Sequence, residues 1–345
     1  MRLKAPSLWE YQGPLSWMLF PLSMIYGLVV AIRKNLFQFG VLPSSKLPVP
    51  VIFVGNIRVG GTGKTPTVIA LANALYWRGF TPGVISRGYL SNLEKGQTKE
   101  VLIQQNVKEC GDEPLLIKQK LGAKIPVWIG ADRYQAGMDL LKTHPECNVI
   151  ISDDGLQHLK LKRHPARNGG NDIEIILRDD RGEGNGFLLP AGPLREYEER
   201  PRDMTFNLLI HPNQTVDEAN RLIGLNHYVI ACNMGDAYQF INPSVTSPLL
   251  EFVGKRVLSV AGIANPNKFF DPLKALGLEL QTQSLGDHAD YTHISFSDTY
   301  DVILITEKDA VKCTHLNDPR IWVVPLEAHL PKECLDWVSE VLHRT

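Results

Sequence analysis

Gly60, Gly61 and Gly63 stand directly ahead of Lys64 and Thr65, in the stretch Val-Gly-Asn-Ile-Arg-Val-Gly-Gly-Thr-Gly-Lys-Thr-Pro-Thr over residues 54–67. Glycines at this spacing let backbone N–H groups turn toward an anion without a Cβ clash, and a lysine and a hydroxyl beside them suit phosphates and their Mg²⁺. Gly60, Gly61, Thr62, Gly63, Lys64, Thr65 and Pro66 are therefore the expected nucleotide-binding residues, with Lys64 on the β- and γ-phosphates and the Thr65 hydroxyl on Mg²⁺. The general pattern has a further Gly five positions before the second, where this chain has Arg58. Asp153 and Asp154 end the apolar run Ile150-Ile151-Ser152, the arrangement that holds Mg²⁺ opposite a phosphate loop. The residues do not distinguish which of the two faces the metal. Gly111-Asp112-Glu113-Pro114 opens a helical pattern, where its carboxylates favour the helix dipole whatever else they do. Ser86-Arg87-Gly88-Tyr89 and Gly130-Ala131-Asp132-Arg133 each close an apolar run, and Asp132 suits an N-cap.

These groups need a scaffold that brings strand ends together. Apolar runs at 51–54, 83–86, 101–103, 127–129 and 149–152 alternate with helical patterns at 67–75, 113–121 and 132–142. That is the rhythm of a parallel sheet flanked by helices, whose ligands sit beyond the carboxyl ends of the strands. Residues 164–203 read as a mixed-charge loop rich in Arg, Gly, Pro and Glu. Strands at 256–261, 278–283 and 301–305 and a helix at 267–276 make the second half a smaller α/β lobe without a second glycine loop. The expected fold class is α/β: a phosphate-loop parallel sheet flanked by helices, a smaller α/β lobe and an N-terminal membrane helix. The expected divisions are 1–42 for anchor and linker, 43–205 for the phosphate-loop core and 206–345 for the second lobe.

The chain has 345 residues, 44% of them apolar, enough for a full core. Its net charge of −1 gives no field for nucleic acid, and no obligate protein partner is inferred. Five scattered cysteines without a C-x-x-C pair suggest neither a disulfide framework nor a zinc site. Residues 15–32 are 18 positions without a charge, and basic residues lie on both sides, at Arg2, Lys4, Arg33 and Lys34. As a helix they reach ~27 Å, about the hydrocarbon thickness, and they fit a helix lying at a membrane face or dipping into it.

Val-Gly-Asn-Ile-Arg-Val-Gly-Gly-Thr-Gly-Lys-Thr-Pro, Ser-Arg-Gly-Tyr, Gly-Asp-Glu-Pro, Gly-Ala-Asp-Arg, Asp-Asp-Gly-Leu-Gln-His, Leu-Pro-Ala-Gly-Pro-Leu-Arg-Glu, Asp-His-Ala-Asp-Tyr and Thr-Glu-Lys-Asp-Ala-Val-Lys follow in order over residues 54–312. With these motifs the chain resembles the tetraacyldisaccharide 4′-kinases of Gram-negative bacteria, and Arg58 looks like that family's own version of the loop. The resemblance implies ATP- and Mg²⁺-dependent phosphorylation of the 4′-hydroxyl of tetraacyldisaccharide 1-phosphate, giving lipid IVA, at the cytoplasmic face of the inner membrane. It assigns Asp112 as the base on the acceptor hydroxyl, aided by His288. Glu113 is a further candidate for Mg²⁺ beside Thr65, Asp153 and Asp154. Arg87, Arg133 and Arg195 are candidates for the lipid's 1-phosphate or the transferring phosphoryl group. The competing class is a membrane-associated regulatory NTPase of the partition, cell-division or metallochaperone type. Those loops often carry a Lys ahead of the paired glycines, where this chain has Val59.

Overall fold

The computed structural model describes residues 7–198, 201–209, 226–287, 289, 291–292 and 294–344. A long apolar helix, α1 (Pro14–Gln38), comes first. β1 (Val51–Gly55) then runs through the phosphate loop into α2 (Lys64–Trp77). β2 (Pro82–Ser86) and the short β3 (Thr98–Glu100) lead to α3 (Val107–Cys110) and α4 (Asp112–Leu121). β4 (Val127–Gly130), α5 (Arg133–Thr143) and β5 (Val149–Asp153) follow, and then β6 (Ile173–Asp179), β7 (Met204–Leu209) and β8 (His227–Met234). The chain next enters a second sheet with β9 (Ala237–Gln239), β10 (Thr246–Ser247), β11 (Val257–Ala261), α6 (Asn267–Ala275), β12 (Leu280–Ser284), β13 (Val302–Thr306), α7 (Glu307–Ala310) and β14 (Ile321–Val324). It returns to the first with β15 (Leu326–His329) and α8 (Lys332–Leu342).

Among the described residues the larger sheet has nine strands in the order β15-β8-β7-β6-β1-β5-β2-β4-β3, and the smaller six in the order β10-β9-β14-β13-β11-β12. In the larger sheet every pairing is parallel except β3 with β4 and β15 with β8 at its edges. β1 sits between β5 and β6, and all five of its residues are buried. Its alternation divides the core. Ile52 and Val54 join Val68, Leu71 and Leu75 of α2 on one face, while Val51 and Phe53 join Leu140 of α5 on the other. A strand buried on both faces needs an apolar residue at every step, which is why this run carries no polar alternation.

Two sequence expectations change. The strand expected at 101–103 lies earlier, at Thr98–Glu100; Val101 is buried and its N–H still reaches Val127 O, but Leu102 and Ile103 turn out to solvent. The expected loop at 164–203 contains β6, the direct neighbour of β1. Glu174 and Arg178 break its apolar run in sequence; in the fold Glu174 is buried against Arg163, Arg167 and Arg202. The division expected at 205/206 falls inside β7; strand pairing places β8 and β15, and core packing α8, with the larger sheet.

Candidate active site

The phosphate loop leaves the buried end of β1 and enters α2 at Gly63, whose φ of +76° is left-handed. A Cβ there would press on the Leu208 side chain, and the left-handed backbone itself favours glycine. Lys64 follows at the helix N-terminus. Its ammonium lies 3.2 Å from Asn56 Oδ1 and 3.7 Å from Asp154 Oδ1, which aims it back over the loop. Thr65 stands half-buried in the same first turn, and Thr62 is buried with no hydrogen-bond partner for its hydroxyl. The first-turn N–H groups of α2 face the loop with the positive end of the helix dipole.

β5 lies beside β1 with Asp153 in register with Val54, so both acids sit at the mouth of the loop. Asp153 is buried. Ser86, at the end of β2, donates to its Oδ2 at 2.9 Å, and its Oδ1 has no partner. Burial, with Glu113 and Asp154 nearby, pushes its carboxyl up to about 6, against the pull of Lys64 and the Ser86 bond. Asp154 takes a left-handed φ of +49° and turns outward. Arg195 grips it through Nη1 at 2.9 and 3.0 Å. Burial opposes its charge, but Lys64 and Arg195 prevail and hold it below the usual carboxylate range.

Arg133 opens α5 behind Asp132, whose side chain caps the helix by accepting from Tyr134 and Gln135 N–H. The Arg133 side chain is buried, and Nη1 donates to Gly130 O while Nε and Nη2 have no partner. Burial lowers it to about 10, though Asp153 and Asp154 favour its charge and Arg87 opposes it. Burial and then Arg133 push His158 down to about 3, so it is neutral at physiological pH. Arg87 is exposed at the end of β2. Arg133, Arg195 and His158 thus lie around the two acids, with Arg87 near Arg133 and His158.

The second acidic pair lies at the start of α4. Asp112 is buried, and its Oδ1 accepts from Glu113 N–H at 3.0 Å. Lys308 of α7 crosses from the smaller lobe and meets Glu113 Oε1 at 3.0 Å, Asp287 Oδ1 at 3.4 Å and Asp112 Oδ2 at 3.9 Å. Burial opposes the Lys308 charge, but Glu113, Asp112 and Asp287 outweigh it and keep it protonated. His288 lies outside the described residues, next to Asp287 in sequence.

The donors fit Mg²⁺. Asp153 offers a buried carboxylate oxygen without a partner, and Thr65 a hydroxyl at the loop. Among the described residues no cluster of three or more His, Cys, Asp or Glu side chains forms a closed cage. A few protein oxygens completed by substrate phosphates is how Mg²⁺ is commonly held.

The Asp153 environment gives a prediction for the nucleotide- and metal-free protein. Its folded pKa stands above the unfolded value of ~3.9, so its contribution is most favourable at low pH and is lost as pH rises through about 6. Asp153→Asn removes that loss. The variant is expected to melt several degrees above the parent at pH 8, with the gap closing between pH 6 and pH 4 in thermal scans. A gap independent of pH contradicts the assignment.

Sequence order alone assigns no role to Ser86 or Asn56, and puts Lys308 only near a strand end, within reach of a nucleotide. The usable signal was position. Ser86 ends β2 next to β5, Asn56 follows β1, and Lys308 follows β13.

Comparison with known proteins finds relatives over nearly the whole chain. Residues 15–343 match the family of tetraacyldisaccharide-1-P 4′-kinases, LpxK. A protein named tetraacyldisaccharide 4′-kinase from Polynucleobacter asymbioticus is 45% identical over 99% of this chain and 96% of its own length. One from Herminiimonas arsenicoxydans is 43% identical over 97% of this chain and 94% of its own. A crystal structure of LpxK from Aquifex aeolicus, described as the "apo" form in complex with ATP, superposes with a TM-score of 0.73 at 28% identity, covering 96% of this chain and 99% of that one. A phosphate loop, paired acids at the adjacent strand end and a match over nearly the whole length make one conclusion: the chain belongs to the tetraacyldisaccharide-1-P 4′-kinase family.

Proposed function

We propose that this chain transfers the γ-phosphate of ATP to the 4′-hydroxyl of tetraacyldisaccharide 1-phosphate, forming lipid IVA at the cytoplasmic face of the inner membrane. One observation carries the reading: Lys64 of the phosphate loop and Glu113, next to buried Asp112 on α4, both act on Asp153, and Lys308 of the smaller lobe reaches Asp112 and Glu113. A regulatory NTPase has no evident use for a buried carboxylate paired with Lys308 so near the loop acids.

Loop N–H groups and Lys64 hold the β- and γ-phosphates. Thr65 and Asp153 are the residues that fit Mg²⁺, with Asp154 and Glu113 engaged by Arg195 and Lys308. Bound there, Mg²⁺ would neutralise charge on the phosphate oxygens. The 4′-oxygen attacks the γ-phosphorus, the bond to the β–γ bridging oxygen breaks, and ADP leaves. The hydroxyl proton passes to Asp112. Its bond from Glu113 N–H orients that carboxylate, and the Lys308 charge lies 3.9 Å from it. Arg87, Arg133 and Arg195, with neutral His158, form the anion-binding wall for the lipid's 1-phosphate or the transferring group.

α1 brings the enzyme to its acceptor. It is long and apolar enough to cross a membrane, yet one stripe of it is docked on the protein along most of its length. Ser16 accepts from Asn185 Nδ2 at 3.3 Å, Ser23 bonds Leu188 O and Ala191 N, Tyr26 donates to Arg195 O at 3.0 Å, and Lys34 pairs with Glu196 at 2.8 Å. Leu22, Ile25, Val29 and Ile32 point away, exposed. A helix held in this way along its length lies in the membrane plane with its free face in lipid. Tyr26, on the docked stripe, bonds the backbone carbonyl of Arg195, so the helix runs next to one of the arginines proposed for the anion-binding wall.

Leu22→Glu with Ile25→Glu is expected to cut binding to anionic vesicles on the order of 10²-fold, from the burial energy of two large side chains. Sedimentation with vesicles checks this, and unchanged binding contradicts the in-plane helix. The function itself is tested by ATP turnover with and without the lipid acceptor. The kinase reading expects ADP release to require the acceptor, and equal turnover without it contradicts that reading.

A further inference from the structure

Arg58 stands where the general phosphate loop has glycine, and it is buried. Its Nη1 donates to Arg181 O at 2.9 Å and Gly182 O at 3.4 Å, and its Nη2 pairs with Glu10, just ahead of α1. A second arginine runs the other way. Arg181 Nη2 donates to Gly61 O, inside the loop, at 2.9 Å. The loop backbone packs against this guanidinium: at Gly60, where φ is +112°, a Cβ would stand 3.3 Å from Arg181 Nη1. Arg181 is itself fixed by Asp179, whose carboxylate takes Nε at 3.0 Å and Nη2 at 2.6 Å. The same buried carboxylate accepts from Lys268 of α6, in the smaller lobe, at 2.6 Å. Lys268 also reaches Asp180 at 3.2 Å. Burial opposes the charge of Asp179, but Arg181 and Lys268 hold it ionised.

We propose that Arg181 is a positioning residue for ATP binding, forming with Arg58 a reciprocal clamp that fixes the loop backbone from 58 to 61, and that Asp179 and Lys268 tie this clamp to the smaller lobe. Arg58 gives the loop its hold on the 181–182 turn, and Arg181 returns the hold to Gly61. The clamp replaces the conformational freedom of the missing glycine with a fixed shape. Arg181 acts through the loop; two of its donor groups are spent on Asp179 and Gly61. Charge-assisted hydrogen bonds of this kind are the strong ones. The chain Lys268–Asp179–Arg181–Gly61 is continuous, so the smaller lobe and the phosphate loop bias each other's position.

The inference rests on the ATP-dependent reading, so the experiment measures ATP binding directly, by equilibrium dialysis of the full chain with Mg²⁺ and no lipid. Arg181→Ala is expected to weaken ATP about 10- to 100-fold, with the melting temperature of the free protein close to the parent's. Lys268→Ala is expected to weaken it less, and the double variant to fall short of the sum of the two effects, as for residues in one network. In transfer assays the rise is expected in the KM for ATP while the KM for the lipid stays near that of the parent. Arg181→Lys keeps a charge opposite Asp179 but lacks the second donor, and is also expected to weaken ATP, so it carries the test if the alanine variant does not fold. Parent-like ATP affinity in a folded Arg181 variant overturns the proposal, as does an equal rise in both KM values. A folded parent that binds no ATP overturns the ATP reading instead.

Discussion

Lys64→Ala is expected to lower phosphoryl transfer about 10³-fold while the protein stays folded. The ammonium is already aimed by Asn56 and Asp154, so no reorganisation is needed when charge builds on the γ-phosphoryl oxygens. Two unit charges at ~4 Å interact by about 4 kcal/mol at the effective dielectric of a protein surface, and ~1.4 kcal/mol is a factor of ten. Most of that interaction is made in the transition state, so kcat falls more than affinity. Steady-state kinetics over a range of ATP concentrations checks this. A folded variant within tenfold of the parent contradicts the role given to Lys64.

Removing the proposed base is the second large effect. Asp112→Ala is expected to cost about 10²- to 10³-fold, toward the lower part of the range for general bases. In a loose phosphoryl-transfer transition state the proton leaves late and positioning dominates, which is why Lys64 matters at least as much. The neighbouring cation sharpens the test. Lys308 stands 3.9 Å from Asp112 and favours its ionised form. Lys308→Met removes that charge, so the Asp112 pKa rises and the acid limb of the pH–rate profile moves to higher pH. Loss of activity with an unmoved acid limb contradicts the pairing of Lys308 with the base.

Much of the larger sheet was legible because buried parallel strands must be apolar at every step. Val51–Val54 and Ile150–Ser152 announced β1 and β5, and the residues after them announced the site. β6 escaped because burial and apolarity separate there: Glu174 is buried through three arginines that lie 11 and 7 residues before it and 28 after it. Edge β3 escaped because an edge strand needs few apolar residues, and Thr98–Glu100 has none. Lys64, Asp153 and Asp154 could be placed from local order, since Lys64 closes the glycine loop after β1 and the two acids stand at the end of the β5 run. The meeting of Lys308 with Asp112 could not, because residues nearly 200 positions apart are joined by the packing of two lobes, which no local pattern encodes. Arg58 was visible as a departure, but its partners at 181–182 became evident only with β6 in place beside β1.

The most direct measurement of the central claim is transfer of labelled γ-phosphate from ATP to tetraacyldisaccharide 1-phosphate in detergent micelles, with Asp112→Ala alongside the parent. The account predicts label in the lipid at the 4′-position with the parent and near loss of it in the variant. A folded, ATP-binding parent that leaves the lipid unlabelled would contradict it.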